Sequence, residues 1–347
     1  MVLELCGATQ SWSGGRRSCL VMEKGAELCF PQLLNNSCIK PTLHWSKAVL
    51  LNIVLSCISF ITAGLNLLVI ISVSHFRQLH TPSNVLLLSL AVSDFLVGFL
   101  LIPAEIFRIT VCWVFGESMC SLYTYLGYIV VTSSISNIVL ISVDRYVAIC
   151  DPLHYPSRIT VAKIKLSVCL CWFYSAFYST LCTKNILIKP GRYNSCYGEC
   201  VFITSDIAGI IDLVLSFIVP VSIIIVLYMR VFVVAVSQAR AMHSHVTAVT
   251  LQRLVNQTNK SELKAARTLG VLVVVFLASF CPFYCYFLVV EDIVSDSSAS
   301  IVVIVYYFNS CLNPLIYALF YPWFRNAVKV IITFQIFKHD SSEVNIL

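Results

Sequence analysis

The sequence predicts an all-α membrane protein, a seven-transmembrane helix bundle with a short amphipathic helix after the seventh span. Three observations predict it. Of 347 residues, 59% are hydrophobic and 12% charged, with a mean hydropathy of +0.87, whereas a water-soluble domain has about a quarter of its residues charged. Seven apolar stretches, near 48–74, 83–107, 118–149, 162–183, 205–235, 263–290 and 299–320, each supply the roughly 20 residues that a bilayer-spanning helix needs. Basic residues divide unevenly between the two sides. With the N-terminus outside, inner connectors and tail hold 14 Lys/Arg and outer segments nine, the bias expected of that orientation. Barrel strands are excluded because the runs are too long, and an open sheet edge would leave backbone groups unpaired in lipid.

Residues 1–47 form the outer N-terminal segment, 48–321 the bundle, and 322–347 an inner amphipathic helix and tail. Residues 1–21 lack the apolar core of a signal peptide, so the first span serves as its own insertion signal; Met1 and Met22 are both compatible starts. Asn35-Asn36-Ser37 is an outer sequon that places a glycan at Asn35. The sequons at Asn256 and Asn259 fall on the inner side and should stay bare. After Tyr321, PWFRNAVKVIITFQIF alternates basic and apolar residues at helical spacing, the pattern of a helix lying along a membrane surface.

Of 16 cysteines, those inside the spans read as small packing residues. Those on the outer side sit in an oxidising compartment. Cys120 begins the third span, and Cys196 and Cys200 precede the fifth. A Cys120–Cys200 bridge would tie that loop over the third helix and leave Cys196 for Cys29 or Cys38.

Ionisable groups inside spans are costly and therefore informative. Asp94 lies in the second span, with Asn66, Ser134, Asn309, Ser310 and Asn313 as its plausible partners. A carboxylate ringed by amide and hydroxyl oxygens suits a small hard cation such as Na+; a hydrated polar network is the alternative. At the inner end of the third span, Arg145 of Asp144-Arg145-Tyr146 can pair with Asp144 and with Glu262, or snorkel to the surface. Near the outer end of the second span, Glu105 and Arg108 are spaced to pair on one helical face. Asp212 lies in the fifth span, eight residues before Pro220, about 10 Å below the outer face at 1.5 Å per residue.

Asn66 in GLNLLV, Asp94 in LAVSD, Asp144-Arg145-Tyr146, Trp172, Pro220 with Tyr228, Pro282 and Asn313-Pro314-x-x-Tyr317 fall one per helix, in order. Together they resemble the rhodopsin-like receptor signature from residue 48 to 335. NSCLNPLIYALFYPWF at 309–324, ELCFPQLLNNSC and Cys196-Tyr-Gly-Glu-Cys200 are similar to trace amine-associated receptors. The resemblance implies bridges from Cys120 to Cys200 and from Cys196 to Cys29. It implies a sodium-linked network at Asp94 as an allosteric ion site. It also implies G-protein engagement at Arg145, with Tyr228 and Tyr317 as switch partners. For function it implies an olfactory amine receptor in the plasma membrane that raises cyclic AMP through a stimulatory heterotrimeric G protein.

One position departs from that pattern. Amine receptors place an Asp in the third helix, eighteen residues before the Arg of the triplet; here that residue is Gly127. Asp212 is the replacement, as in a subset of the family, because a desolvated ammonium needs a counter-charge. Tyr128, Thr132, Phe283, Tyr284, Phe287 and Tyr307 complete the candidate pocket, and cation–π contact adds about 0.5–2 kcal/mol. The alternative for Asp212 is a protonated acid bonded to Thr132 or Tyr284. A neutral odorant is a second reading of the ligand. A transporter or channel is a reading from another class, disfavoured because the chain lacks internal repeat halves. No phosphate loop, metal pair or nucleophile–base set points to an enzyme, and residues 297–321 contain no Lys to carry retinal.

Overall fold

A computed structural model describes residues 27–33, 37–38, 45–192, 194, 196–201, 206–244, 270–286, 297–338, 341–343 and 346. Seven long helices account for the bundle: α1 (Trp45–His75), α2 (Pro82–Thr110), α3 (Gly116–Cys150), α4 (Val161–Ile188), α5 (Asp206–Leu213, Val214–Ile218 and Val219–Ser244), α6 (Gly270–Tyr286) and α7 (Ser297–Phe320). Six are long and apolar enough to cross a membrane, and α6 is a shorter apolar helix. A one-turn helix, Tyr155–Arg158, links α3 to α4, and α8 (Pro322–Ile332) follows α7.

Local chemistry explains where helices start. Thr81 and Thr160 precede α2 and α4, and their hydroxyls accept from the Asn84 and Lys163 amides at 3.4 Å, each satisfying a backbone donor that a helix start leaves unpaired. Two helices carry a π-helical turn, Val97–Leu101 in α2 and Val214–Ile218 in α5. In α2 the turn lies against α1, where the Ser59 hydroxyl donates to the Gly98 carbonyl at 2.6 Å. A Cβ on Gly98 would stand 2.6 Å from the Ala63 backbone nitrogen, so only glycine admits this approach.

Burial runs opposite to that of a soluble domain. Phe60, Phe173 and Leu319 project outward, while Asn66, Ser93, Asp94, Asn137, Asn309 and Asn313 are buried. The main apolar core lies in the inner half, among Phe76, Leu86, Ile138, Ile224, Phe276 and Tyr317. A second cluster in the outer half joins α1, α2, α3 and α7 around Leu101, Val130 and Tyr307. On α8, Trp323, Phe324 and Ala327 are buried, and Arg325 donates to the Ala318 and Leu319 carbonyls at 2.8 and 3.3 Å, capping the end of α7. The tail folds back on this junction. Ile346 is buried, and Asn326 donates to its carbonyl at 3.1 Å.

Among the described residues, three disulfides close the outer end: Cys120–Cys200, Cys38–Cys196 and Cys29–Cys112. The Cys196–Cys29 pairing expected from the family resemblance is therefore corrected. Backbone pairing decides it. The Cys38 amide donates to the Tyr197 carbonyl at 2.9 Å and the Cys29 amide to the Cys38 carbonyl at 2.8 Å. This ladder sets Cys38 beside Cys196 and moves Cys29 across to Cys112, whose neighbour Trp113 donates to the Gly198 carbonyl at 2.9 Å. Gly198 takes φ +104, and a Cβ there would meet Cys29 Cβ at 2.9 Å. Each bridge should be worth about 2–4 kcal/mol. In cells labelled with a membrane-impermeant thiol reagent, Cys29→Ser should expose Cys112, whereas Cys196→Ser should expose Cys38.

Candidate functional site

Asp212 lies on the turn of α5 just before its π-helical segment. Its Oδ1 accepts from the Tyr178 hydroxyl at 2.7 Å and the Ser216 hydroxyl at 2.9 Å, and Ser216 also reaches the Tyr178 oxygen at 3.1 Å. Among the described residues, Oδ2 accepts no hydrogen bond and no Lys or Arg pairs with the carboxylate. The expected partners differ. Thr132 is buried on α3 and makes no hydrogen bond with Asp212, and Tyr284 is near it without bonding. Asp212 is thus an acceptor of two hydroxyls from α4 and α5. Ser216, four residues on, was legible from helical spacing. Tyr178 was not, because nothing local links α4 to α5.

Aromatic residues neighbour this carboxylate. Tyr128, Tyr284 and Tyr306 lie within its electrostatic reach. Tyr284 stacks on Phe217 with centroids 4.4 Å apart, and Phe283 stacks on Tyr306 at 4.3 Å. Phe280 is buried below, 4.9 Å from Tyr306. Tyr307 meets the edge of this group, its ring 5.3 Å from that of Tyr306. It is buried on the α2 side, close to Tyr123 and Glu105. Glu105 is only 4% exposed. Arg108 grips it through Nη2 to Oε1 at 2.6 Å and Nε to Oε2 at 2.7 Å, and the Tyr123 hydroxyl donates to Oε2 at 2.6 Å.

Deeper in the bundle, Asn313 donates to Asp94 Oδ2 at 2.7 Å, and Ser310 lies near the same carboxylate. Asn66 donates to the Thr62 and Ser310 carbonyls at 3.0 Å, and Ser134 donates to Ser93 at 2.9 Å. Asp94 Oδ1, Asn66 Oδ1, Asn309 Oδ1, Thr62 Oγ1 and Tyr317 Oη are buried without a hydrogen-bond partner among the described residues. A lining of unpaired oxygens about one carboxylate fits a small hard cation with water.

At the inner end, Asp144 is the hub. Its Oδ2 accepts from Arg145 Nε at 3.0 Å, Arg145 Nη2 at 2.6 Å and Ser83 at 2.8 Å, and its Oδ1 from Tyr155 at 2.8 Å. Arg145 also donates to Ser83. Burial holds the Tyr155 phenol above its ordinary value, so it stays a donor at neutral pH. A cavity of about 50 Å³ adjoins Arg145, with Leu272 of α6 and Tyr321 in its lining. Tyr146 packs near Ile149 and Val231. A Cβ on Gly270 would stand 2.2 Å from the Tyr228 hydroxyl, which shows how closely α5 meets α6. Glu262, Phe287 and Asn35, with Asn256 and Asn259, lie outside the described residues.

Residues 65–317 match the family model for the 7 transmembrane receptor (rhodopsin family). Over 337 residues the chain is 35% identical to trace amine-associated receptor 13c of Danio rerio, covering 92% of this chain and 96% of that protein. It is 37% identical to trace amine-associated receptor 1 of Mus musculus over 310 residues, covering 86% and 93%. The same identity holds for trace amine-associated receptor 6 of Pan troglodytes over 337 residues, covering 92% and 95%. The chain belongs to the trace amine-associated receptors. Members of this family of rhodopsin-type receptors are multi-pass membrane proteins that answer a small-molecule ligand through a heterotrimeric G protein, and they are not enzymes. This trace amine-associated receptor has Gly127 in α3 and Asp212 in α5, the latter beside Tyr178 and Ser216.

Proposed function

We propose that this trace amine-associated receptor detects protonated amines in the plasma membrane of olfactory sensory neurons and raises cyclic AMP through a stimulatory G protein. The observation that carries the reading is Asp212. This carboxylate has two hydroxyl donors on one oxygen, none on the other and no internal cation among the described residues. An ammonium docked on Oδ2 supplies the missing charge, and the faces of Tyr128, Tyr284 and Tyr306 add cation–π contact. The names of the relatives, which carry the words "trace amine", agree with that chemistry.

Activation follows as a population shift. An agonist favours an active bundle only by its differential affinity for it. An ammonium bridging α5 to rings on α3, α6 and α7 draws the outer ends together. At the inner end the same shift frees Arg145 from Asp144 and opens the cavity beneath Leu272 to the G protein. Na+ at Asp94, held with Asn66, Asn309 and Asn313, would favour the closed bundle. Sodium should accordingly raise the melting temperature of the purified wild type and leave that of Asp94→Asn unchanged.

A panel of primary amines and the alcohols of equal length, applied to cells expressing the full chain, tests the ligand. Cyclic AMP should rise with the amines alone and fade as pH climbs above each amine's own pKa. Equal responses to amine and alcohol would replace the amine with a neutral odorant. An amine response without cyclic AMP would replace the stimulatory G protein alone.

A further inference from the structure

Asp212 and Glu105 are carboxylates set within the outer half of the bundle, and they differ in one respect. Asp212 on α5 has an oxygen without a donor among the described residues. Glu105 on α2 has none to spare. Its Oε1 takes Arg108 Nη2 at 2.6 Å, and its Oε2 takes Arg108 Nε at 2.7 Å and the Tyr123 hydroxyl at 2.6 Å. The two sites are linked through tyrosines. The Tyr306 and Tyr307 rings meet edge-to-face with centroids 5.3 Å apart, Tyr307 on the side of Glu105 and Tyr123 and Tyr306 on the side of Asp212. On α3, Gly127 packs toward α2, where an added Cβ would meet the Leu101 side chain at 3.8 Å. With Gly127 in place of a side chain, α3 offers no second acid at this position, and the Glu105 carboxylate is already matched by Arg108.

Resting on the amine reading above, we infer that Arg108 is a charge-specificity residue that occupies Glu105 as a built-in second ammonium, so that this receptor takes monoamines and rejects diamines of equal length. The guanidinium is tethered three residues from its partner in bidentate geometry, and separating a buried pair leaves an uncompensated charge that strongly disfavours the rearrangement. A diamine anchored at Asp212 therefore brings its second ammonium toward a net-neutral pair whose outer member is a cation, 33% exposed. Selectivity of this kind comes from a repulsive element as well as an attractive one.

The experiment uses the full chain in cells, with primary n-alkylamines and the α,ω-diaminoalkanes of the same length as probes. The wild type should respond to the monoamine at a concentration about tenfold or more below that of its diamine. Arg108→Gln should move this ratio toward the diamine by about tenfold, and adding Glu105→Gln should cancel that gain. A wild type that prefers diamines overturns the proposal, as does Arg108→Gln at the cell surface with an unchanged ratio, or a diamine gain that survives Glu105→Gln. Should Arg108→Gln alone fail to reach the surface, the Glu105→Gln/Arg108→Gln pair decides. It keeps the monoamine preference if the proposal holds and prefers diamines if it does not. Asp212→Asn in the same panel separates the two ideas: responses to both amine classes that ignore this change defeat the anchor at Asp212, whereas the ratio tests Arg108.

Discussion

Asp212→Asn should raise the amine concentration needed for half-maximal response by roughly a hundredfold or more, with the receptor still at the cell surface. Removing one partner of a desolvated ion pair costs about 3–5 kcal/mol, and each 1.4 kcal/mol is tenfold in affinity. Asn keeps the shape of the side chain and one carbonyl oxygen, so the hydroxyls of Tyr178 and Ser216, now 2.7 and 2.9 Å from Oδ1, retain an acceptor. The loss should therefore fall on the ligand and leave the fold in place. Tyr178→Phe and Ser216→Ala each remove one donor worth about 1 kcal/mol, and their potency losses should be near fivefold. Dose–response curves normalised to surface receptor check all three. Unchanged potency in Asp212→Asn would remove the anchor while leaving the receptor assignment intact.

Asp144→Asn should raise ligand-independent signalling several-fold. Arg145 is held by two bonds to Asp144 Oδ2, at 2.6 and 3.0 Å, and Ser83 and Tyr155 converge on the same carboxylate. The Asn side chain removes the negative charge and offers one acceptor in place of two. Charge-assisted bonds of this kind contribute about 1.5–3 kcal/mol each to the state that contains them. A loss of even 1.4 kcal/mol shifts the ratio of closed to open bundle by tenfold. Tyr155→Phe deletes one bond to Asp144 Oδ1 and leaves the charge, so its rise in basal signal should be smaller. Guanine-nucleotide exchange on membranes without agonist measures both. A basal rate no higher than wild type in Asp144→Asn would show that this pair does not restrain the receptor.

The helical spans were legible because hydropathy and helical periodicity act within one segment of chain. Glu105–Arg108 was legible for the same reason, being an i,i+3 pair on one helix. The family motifs marked Asp94 and Asn313, which are bonded at 2.7 Å. Asp212 stood out as an acid in an apolar run. Its hydroxyl partner Ser216, one turn on, lay within reach of the same argument.

Tertiary structure alone supplied Tyr178 for Asp212, Tyr123 for Glu105, and Ser83 and Tyr155 for Asp144. It also set the cysteine connectivity, in which Cys38 joins Cys196 and Cys29 joins Cys112. These contacts bring together residues 11 to 158 positions apart, beyond the reach of any local pattern. Backbone pairing at Cys38–Tyr197 and helix packing around α3 select one partner from several of equal chemical merit. Sequence by itself fixed which groups lipid would shed or bury, because that is a property of each residue and its near neighbours. Which carboxylate is already matched by a cation, as Glu105 is by Arg108, depends on distances that exist only once the helices have packed.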